Sequence, residues 1–404
     1  MIRGKKILSL ALALTLLVSA APVRAAGGAA LPTAATAETT QQTGGRFAMP
    51  ALELPAKQAI LIEQETGQVL YEKNPDDRVP IASITKVMTL LLTFEAIDAG
   101  KISLDDLVPV SEHAYSMGGS QIWLEPGEQF TLDEMIRAIC VASANDAAVA
   151  VAEFVGGSEP VFAEMMTKRA QELGMENTSF KNACGLDTEG HFSSARDVAI
   201  MSRELLKNYP QITEYTTIWT DSLRGGATQL VNTNKLLNRY EGMTGLKTGT
   251  TSGAGVCISA SATRDGLSLI AVVLGSSSSE ERSEAATTML DYGFANFEMA
   301  APPLPEEFPT ILPVTGGAQR QVTLTYPETG NLLLKKGESA GLTLEVELPE
   351  SVAAPLAQGD QLGTVRALVG GEEIASWPVT AARSVEQMTF SIGFGLLFDA
   401  LTGL

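Results

Sequence analysis

The pattern of hydrophobic and polar positions changes twice between residues 50 and 300. Residues 58–74 hold two apolar runs around the sequence Glu-Thr-Gly, which predicts a β-hairpin. Apolar positions at helical spacing then predict a block of helices in residues 131–155, 161–174 and 195–209. Further on, two strands and a last helix are predicted in residues 256–277 and 281–298. Strands on both sides of a helical block predict an α+β domain whose sheet combines both ends of the segment.

The helix predicted after Pro80 contains an unexpected lysine. Residues 87–94 are too continuously apolar for a surface helix, so this helix is expected to be buried nearly all round. Residues three positions apart share a helix face, which brings Ser83 and Lys86 together. In a structural interpretation, Ser83 caps the first turn and Lys86 extends to solvent. In a chemical interpretation, the two side chains exchange a proton.

A second pattern begins after a Pro-rich break that follows residue 300. Short alternating strands separated by Gly and Pro turns predict a small all-β domain over residues 301–382. In residues 383–404, one helical face is formed by Phe390, Phe394, Leu397 and Leu401. This predicts an amphipathic helix on a membrane surface, attached by apolar burial because Arg383 is the only nearby cation. The alternative is a helix docked on the protein's own core.

The N-terminus has the features of a secretory signal peptide. Three basic residues precede an apolar stretch and a small-residue end at Ala25, so residues 1–25 are expected to be cleaved. Residues 26–49 are rich in Ala, Thr and Gly and predict a flexible linker. Four of the 28 Lys and Arg residues precede the cleavage site, so the mature chain keeps 24 against 47 acidic residues, a net charge of −23. This charge argues against nucleic acid as a partner.

The cysteines and histidines exclude several enzyme classes. Cys140, Cys184 and Cys257 form no Cys-x-x-Cys pattern and are expected to be buried thiols. His113 and His191 lack any zinc-site spacing, and no Gly-x-Ser-x-Gly occurs. Zinc hydrolases and nucleophile-elbow hydrolases are therefore poor fits, and we expect neither a metal nor another cofactor.

Two further segments turn the Ser83 and Lys86 pair into a candidate site. Residues 143–145 read Ser-Ala-Asn within the helical block, and residues 247–249 read Lys-Thr-Gly just before the strand at 256. Ser83 is the only serine followed three residues later by lysine, and Lys-Thr-Gly occurs once. The three patterns come in one order after a signal peptide, which chance does not readily produce.

These motifs resemble those of the active-site-serine penicillin-recognising enzymes. More narrowly, the chain is similar to the low-molecular-mass penicillin-binding proteins that are D-alanyl-D-alanine carboxypeptidases. The likeness covers about residues 50–300, and the β domain and tail also match that family's architecture. It implies a β-lactamase/transpeptidase-like fold and a serine-type carboxypeptidase of cell-wall synthesis and remodelling. Such an enzyme trims the terminal D-alanine of peptidoglycan stem peptides through an acyl-enzyme, is inhibited by β-lactams, and works on the outer face of the cell membrane.

Chemistry and the resemblance together assign the roles of the first two motifs. A serine hydroxyl needs a base, and because no histidine lies near Ser83, the neighbouring amine must serve. Lys86 can do so when it is neutral, which burial and the nearby cation Lys247 favour. Ser143 is expected to relay a proton towards the leaving amine. Asn145 is expected to hydrogen-bond the substrate's amide.

The roles of the third motif come from the resemblance. It implies that Lys247 and Thr248 hold the terminal carboxylate of D-alanine and that Gly249 leaves room for backbone approach at a strand edge. The backbone N–H groups of Ser83 and Thr250 would form the oxyanion hole.

Two departures from the family's motif pattern keep alternative functions open. The middle motif is Ser-Ala-Asn rather than Ser-Asp-Asn, and no Glu-x-x-Leu-Asn segment supplies a deacylating carboxylate, which disfavours drug hydrolysis. Thr250 stands where some relatives have histidine. A β-lactamase or D,D-endopeptidase on the same scaffold, and a non-catalytic penicillin-binding sensor, remain the competing interpretations.

Overall fold

The computed structural model describes residues 40–41, 46–303 and 308–402. The predicted signal peptide, residues 1–25, and most of the predicted linker lie outside the described residues. The described part has an α+β segment, a β-rich segment and a final helix, in the order that the sequence predicted.

Nine α-helices occur in the described residues. They are α1 (Lys86–Asp98), α2 (Glu112–Tyr115), α3 (Leu132–Arg137), α4 (Asn145–Gly156), α5 (Glu159–Glu172), α6 (Ala195–Asn208), α7 (Ile212–Thr216), α8 (Ser279–Asn296) and α9 (Phe390–Thr402). Short 3₁₀ turns occupy Ala82–Thr85, Arg224–Gly226, Lys235–Asn238 and Glu338–Gly341, and a π-helical turn occupies Ala138–Ala142.

The strands of the described residues are given in chain order, first those before residue 301 and then those after it. The first group is β1 (Thr40–Gln41), β2 (Gln58–Glu63), β3 (Val69–Lys73), β4 (Leu107–Pro109), β5 (Gln129–Thr131), β6 (Thr220–Leu223), β7 (Thr228–Val231), β8 (Met243–Thr251), β9 (Gly255–Arg264), β10 (Leu267–Ser276) and β11 (Phe297–Ala300). The second group is β12 (Ile311–Thr315), β13 (Gln321–Thr325), β14 (Leu332–Lys335), β15 (Leu342–Glu347), β16 (Val352–Ala353), β17 (Gln361–Val369) and β18 (Glu372–Ala381).

The α+β segment is built on a five-stranded antiparallel sheet in the order β3-β2-β10-β9-β8. Its strands come from both ends of the segment, as predicted. Helices α1 and α6 pack on one face and share a hydrophobic cluster with α4, which packs on α1, and α8 packs on the other face in a second cluster. Burial on both faces explains why β2 and β10 have continuously apolar sequences. Strand β8 lies at one edge of the sheet.

The helix predicted over residues 131–155 is wrong at its centre. Helix α3 begins with a capping box between Thr131 and Glu134 and ends at Arg137, after which the π-helical turn follows. Ser143 then adopts a left-handed conformation, with φ 59°, and α4 begins at Asn145. Tertiary hydrogen bonds to the side chain of Ser143 and to the backbone of Asn145 compensate for the broken helix.

The β-rich segment has its own sheet and core. Its sheet has the order β15-β17-β18-β13-β12-β16, with β1 beside β18, and its hydrophobic cluster includes the buried Trp377. Strand β14 instead pairs with β11, which follows α8. Arg46 reinforces this connection through an ion pair of 2.7 Å with Glu338. Residues 390–402 form a helix, as predicted, and none of its residues is buried.

Candidate active site

The first motif lies at the junction of a 3₁₀ turn and helix α1. Ser83 is in the turn, and Lys86 is the first residue of the helix. The Nζ of Lys86 lies 2.9 Å from the Oγ of Ser83, and no side-chain hydrogen bond caps the start of the turn or of the helix. The residue before the serine, Ala82, has a positive φ of 50°, a strained conformation that is often found at functional sites. The geometry therefore excludes the capping interpretation of Ser83.

Lys86 does not reach solvent. Its side chain is fully buried, and its Nζ also donates to the Oδ1 of Asn145 at 2.7 Å and to the carbonyl oxygen of Cys184 at 2.8 Å. Burial lowers the pKa of Lys86 from 10.5 to about 8, although the thiol of Cys184 and the carboxylate of Asp146 act in the opposite direction. At neutral pH a useful fraction of this amine is therefore unprotonated.

The second motif surrounds the break between α3 and α4. The left-handed turn at Ser143 places its hydroxyl 2.8 Å from the Nζ of Lys247, and the next helical turn places Asn145 beside Lys86. The amide of Asn145 is fixed further by donating to the carbonyl oxygen of Gly118 at 2.7 Å. Both side chains of the motif are buried.

The third motif lies on the edge strand β8. The Nζ of Lys247 is buried and donates to the Oγ of Ser143 and to the carbonyl oxygen of Thr248, both at 2.8 Å. Burial lowers the pKa of Lys247 well below its usual value, and the charge of Lys86 lowers it further. The hydroxyl of Thr248 is 2.7 Å from that of Thr233.

Gly249 brings the edge of β8 against Ser83. A Cβ atom at Gly249 would lie 2.8 Å from the backbone nitrogen of Ser83, a separation that real Cβ atoms essentially never show. The next residue, Thr250, is exposed. The structure thus brings together Ser83, Lys86, Ser143, Asn145, Lys247, Thr248 and Gly249, with Thr250 at the open end of the strand.

The sequence patterns did not indicate two backbone carbonyls and one carboxylate at the site. The carbonyl oxygens are those of Cys184, which accepts from Lys86, and of Gly118, which accepts from Asn145, and the carboxylate is that of Asp187. The carboxylate of Asp187 accepts hydrogen bonds from Thr251 and Gly253, directly beyond Thr250. A carbonyl oxygen has no signature in a sequence, because every residue carries one. The side chain of Asp187 was visible, but its proximity to β8 depends on the fold.

The cysteines and His191 behave as structural groups. All three cysteines are free and buried, as predicted. His191 accepts a hydrogen bond from the backbone nitrogen of Lys181 at 3.1 Å and lies 2.8 Å from the hydroxyl of Thr85. Burial lowers the pKa of His191 to about 4, so its ring is neutral. Among the described residues, no group of three or more His, Cys, Asp or Glu side chains could hold a metal ion.

Two family models match the chain. One, described as D-alanyl-D-alanine carboxypeptidase, matches residues 45–278, and another, described as the C-terminal domain of penicillin-binding protein 5, matches residues 306–387. The chain belongs to the D-alanyl-D-alanine carboxypeptidase family. The family predicted from the motifs and the enzyme class it implies are therefore confirmed.

Individual carboxypeptidases of this family are similar over nearly their full lengths. The chain is 46% identical over 369 residues to D-alanyl-D-alanine carboxypeptidase DacF of Bacillus subtilis, covering 90% of this chain and 94% of the relative. It is 33% identical over 387 residues to DacC of Escherichia coli, covering 93% and 94%. The crystal structure of penicillin binding protein 5 from Haemophilus influenzae matches with a TM-score of 0.75 and 31% identity, covering 84% of this chain and all of that chain. The predicted fold class is confirmed by this match.

Proposed function

We propose that this chain is a serine-type carboxypeptidase that removes the terminal D-alanine of peptidoglycan stem peptides through an acyl-enzyme on Ser83. The observation that carries the proposal is the hydrogen bond between Ser83 and the fully buried Lys86. This pair lies beside the edge strand β8, which bears the second lysine, Lys247. Membership of the carboxypeptidase family supplies the substrate class. In this proposal β-lactams are covalent inhibitors, because they acylate the same serine.

In the acylation step, Lys86 acts as the general base. Its neutral amine takes the proton of the Ser83 hydroxyl while the serine oxygen bonds to the carbonyl carbon of the penultimate D-alanine. The bond to the terminal D-alanine then breaks, and the proton that Lys86 took from Ser83 passes through Ser143 to the leaving nitrogen, which restores the neutral amine of Lys86. Water later hydrolyses the ester and restores Ser83. The hydrogen bond from Lys86 to Asn145 supports this arrangement, because it fixes the amine beside the amide that would bind the substrate.

The terminal carboxylate is assigned to Lys247 and Thr248. Burial disfavours the protonated form of Lys247, and a bound carboxylate would stabilise that form. Binding of the anion and protonation of this lysine therefore support each other. Gly249 lets the substrate's scissile carbonyl approach both β8 and Ser83. The backbone N–H groups of Ser83 and Thr250 would then stabilise the oxyanion. The exposed side chain of Thr250 is not required for this role, so the absence of histidine there is compatible with activity.

Placement outside the cell is part of the proposal. Residues 1–25 would direct secretion, residues 26–49 would act as a linker, and the domains would span residues 50–300 and 301–382. No helix of the described residues is long and apolar enough to cross a membrane. Residues 383–404 would instead attach the enzyme peripherally to the outer face of the cell membrane, a role supported by the exposed apolar side chains of α9.

Intact-mass analysis of residues 26–404 with benzylpenicillin tests the assignment. The wild type should gain the mass of one penicillin, and Ser83→Ala should gain none. A peptide ending in D-Ala-D-Ala should lose D-alanine in the presence of the wild type and not in the presence of Ser83→Ala. Ser120→Ala is a matched serine control that leaves the proposed nucleophile in place and should keep the adduct.

Other outcomes would favour the competing functions. Rapid loss of the adduct with release of the opened drug would indicate a β-lactamase. Cleavage of cross-linked dimers would indicate an endopeptidase, the activity named for a Pseudomonas aeruginosa relative that is 34% identical over 215 residues. An adduct without turnover of any peptide would indicate a sensor, and the absence of any adduct would overturn the acyl-enzyme proposal.

A further inference from the structure

Asn182 organises the loop that supplies the backbone carbonyl to Lys86. Its Oδ1 accepts hydrogen bonds from the backbone nitrogens of Cys184, Gly185 and Leu186, at 3.2, 2.6 and 3.2 Å. Its Nδ2 donates to the carbonyl oxygen of Leu186 at 2.9 Å and to the hydroxyl of Thr188 at 3.1 Å. One amide side chain therefore holds three successive peptide units in a fixed turn.

This turn aims the carbonyl of Cys184 at the catalytic lysine. The carbonyl oxygen accepts from the Nζ of Lys86 at 2.8 Å. The preceding residue, Ala183, is held by two hydrogen bonds. Its backbone nitrogen donates to the carboxylate of Glu159 at 2.9 Å, and the carbonyl oxygen of Ala183 accepts from the hydroxyl of Thr89 at 2.7 Å. These contacts fix the loop on its N-terminal side, whereas Asn182 fixes the peptide units that follow.

The same turn packs on the backbone that precedes the nucleophile. Gly185 has a positive φ of 88°, and a Cβ atom there would collide with the carbonyl group of Ala82. The close approach is possible only because residue 185 is glycine and because the turn holds it at this angle. The loop thus touches both Lys86 and the peptide unit that leads into Ser83.

We propose that Asn182 is a positioning residue for the acylation step, which sets the direction of the Cys184 carbonyl and thereby the orientation and basicity of the Lys86 amine. This inference rests on the proposed role of Lys86 as base. When the carbonyl accepts one N–H of the neutral amine and Asn145 accepts another, the lone pair is left for the hydroxyl of Ser83. When the amine is protonated, the same carbonyl stabilises its charge.

Three titratable groups act with the carbonyl on Lys86. The Cys184 thiol and the Asp146 carboxylate favour the protonated amine, and Lys247, from strand β8, interacts with Lys86 as a like charge. The Asp146 carboxylate is itself held by the backbone nitrogens of Ile122 and Leu124. A change at residue 182 leaves the contacts of Asp146 and Lys247 in place. The Sγ of Cys184 donates to the Oδ1 of Asn182 at 3.7 Å, so the change acts on the carbonyl and the thiol of Cys184 together.

The test compares Asn182→Ala and Asn182→Asp in residues 26–404, with Asn177→Ala as a control. Asn177 is also a half-buried asparagine, and its side chain accepts from Arg78. The measurement is the second-order rate constant of acylation by a fluorescent penicillin between pH 5.5 and 10. Thermal unfolding of each variant shows that it is folded.

The two variants should shift the pH profile in opposite directions. Asn182→Ala should lower the plateau rate about tenfold and move the acidic limb to lower pH by about half a unit, because the protonated amine loses a fixed acceptor. Asn182→Asp can still accept from the three backbone nitrogens but adds a negative charge. It should keep most of the plateau rate and move the limb to higher pH. Asn177→Ala should match the wild type.

Several results would overturn the inference. One is a pH profile of the acylation rate constant that matches the wild type in both variants. Another is a lower plateau rate with an acidic limb at the wild-type pH, which would indicate that Asn182 is merely structural. If Asn182→Ala does not fold, Asn182→Asp decides alone, and an unmoved limb in it contradicts the inference. An unacylated wild type would instead remove the proposed function itself.

Discussion

At the scale of single residues, the site depends on two lysines that burial makes unusual. Lys86 and Lys247 are both almost completely removed from solvent, and burial lowers the pKa of each. The protein surrounds them with oxygen acceptors from Ser83, Asn145, Cys184, Ser143 and Thr248. Desolvation destabilises the charged amines, while these acceptors limit the penalty. One lysine can thus act as a base and the other can bind an anion.

The pH dependence of acylation should follow Lys86. Its pKa of about 8 lies below the ordinary 10.5, so the neutral amine becomes the major form above pH 8 rather than above pH 10. The acylation rate constant for benzylpenicillin should rise about tenfold per pH unit below 8 and level off above it. Stopped-flow fluorescence between pH 5.5 and 9.5 measures this.

A conservative substitution separates charge from basicity at this position. Lys86→Arg should be inactive throughout, because a guanidinium stays protonated. Lys207→Arg, at an exposed lysine paired with Glu65, should retain the wild-type profile. A rate constant that does not change between pH 6 and pH 9 in the wild type would show that Lys86 is not the base.

At the scale of elements, the site is assembled by one broken helix and one strand edge. The π-helical turn and the left-handed residue that follows it bring Ser143 to Lys247 and Asn145 to Lys86. Strand β8 could pair on its free side with an extended peptide, because it lies at the edge of the sheet. The apolar periodicity of residues 131–155 gave no indication of the break, since local propensity favours a continuous helix there.

The distance between β8 and the 3₁₀ turn should be sensitive to one methyl group. Gly249→Ala would place a Cβ atom 2.8 Å from the nitrogen of Ser83 and 3.0 Å from the Cβ of Ala82. Because backbone must move to relieve this contact, the acylation rate constant should fall by about tenfold or more. Penicillin acylation followed by intact mass against time measures the loss.

The matched control is Gly341→Ala, a glycine with no heavy atom within 4 Å of an added Cβ atom. This variant should be acylated at the wild-type rate. Wild-type acylation of Gly249→Ala would show that the strand and the nucleophile need not be so close.

At the scale of the whole molecule, the α+β segment is joined to a β-rich segment that ends in an unburied helix. The connection is the pairing of β11 with β14, whose Leu333 packs in the same hydrophobic cluster as Phe297. In α9 the exposed fractions of Phe390 and Leu401 are 89% and 78%. Apolar side chains this exposed are costly in water and favour a bilayer surface.

Binding to lipid should therefore depend on the apolar face of α9. The full chain should float with neutral phosphatidylcholine vesicles, and salt should have little effect because α9 has no cationic residue. Replacing both Phe390 and Leu401 by Asp should weaken binding by about a hundredfold or more. Ser391→Asp, at a position of α9 that is already polar, should weaken it less.

The rate constant of acylation by penicillin should be the same in the wild type and in the α9 variants, because α9 lies outside the candidate active site. A wild type that stays with the unbound fraction would contradict the membrane proposal and favour docking of α9 on protein.

The sequence by itself determined the family, the Ser-x-x-Lys motif, the order of the segments and four strands of the main sheet, β2, β3, β9 and β10. These features are local: a fixed spacing along one helix, an apolar run or a turn is complete within a few residues. Only the tertiary structure decided the break before Asn145, the pKa of Lys86, the carbonyl of Cys184 as its acceptor and the position of Asn182. Each of these depends on groups distant in the chain, whose burial and hydrogen bonds exist only after folding.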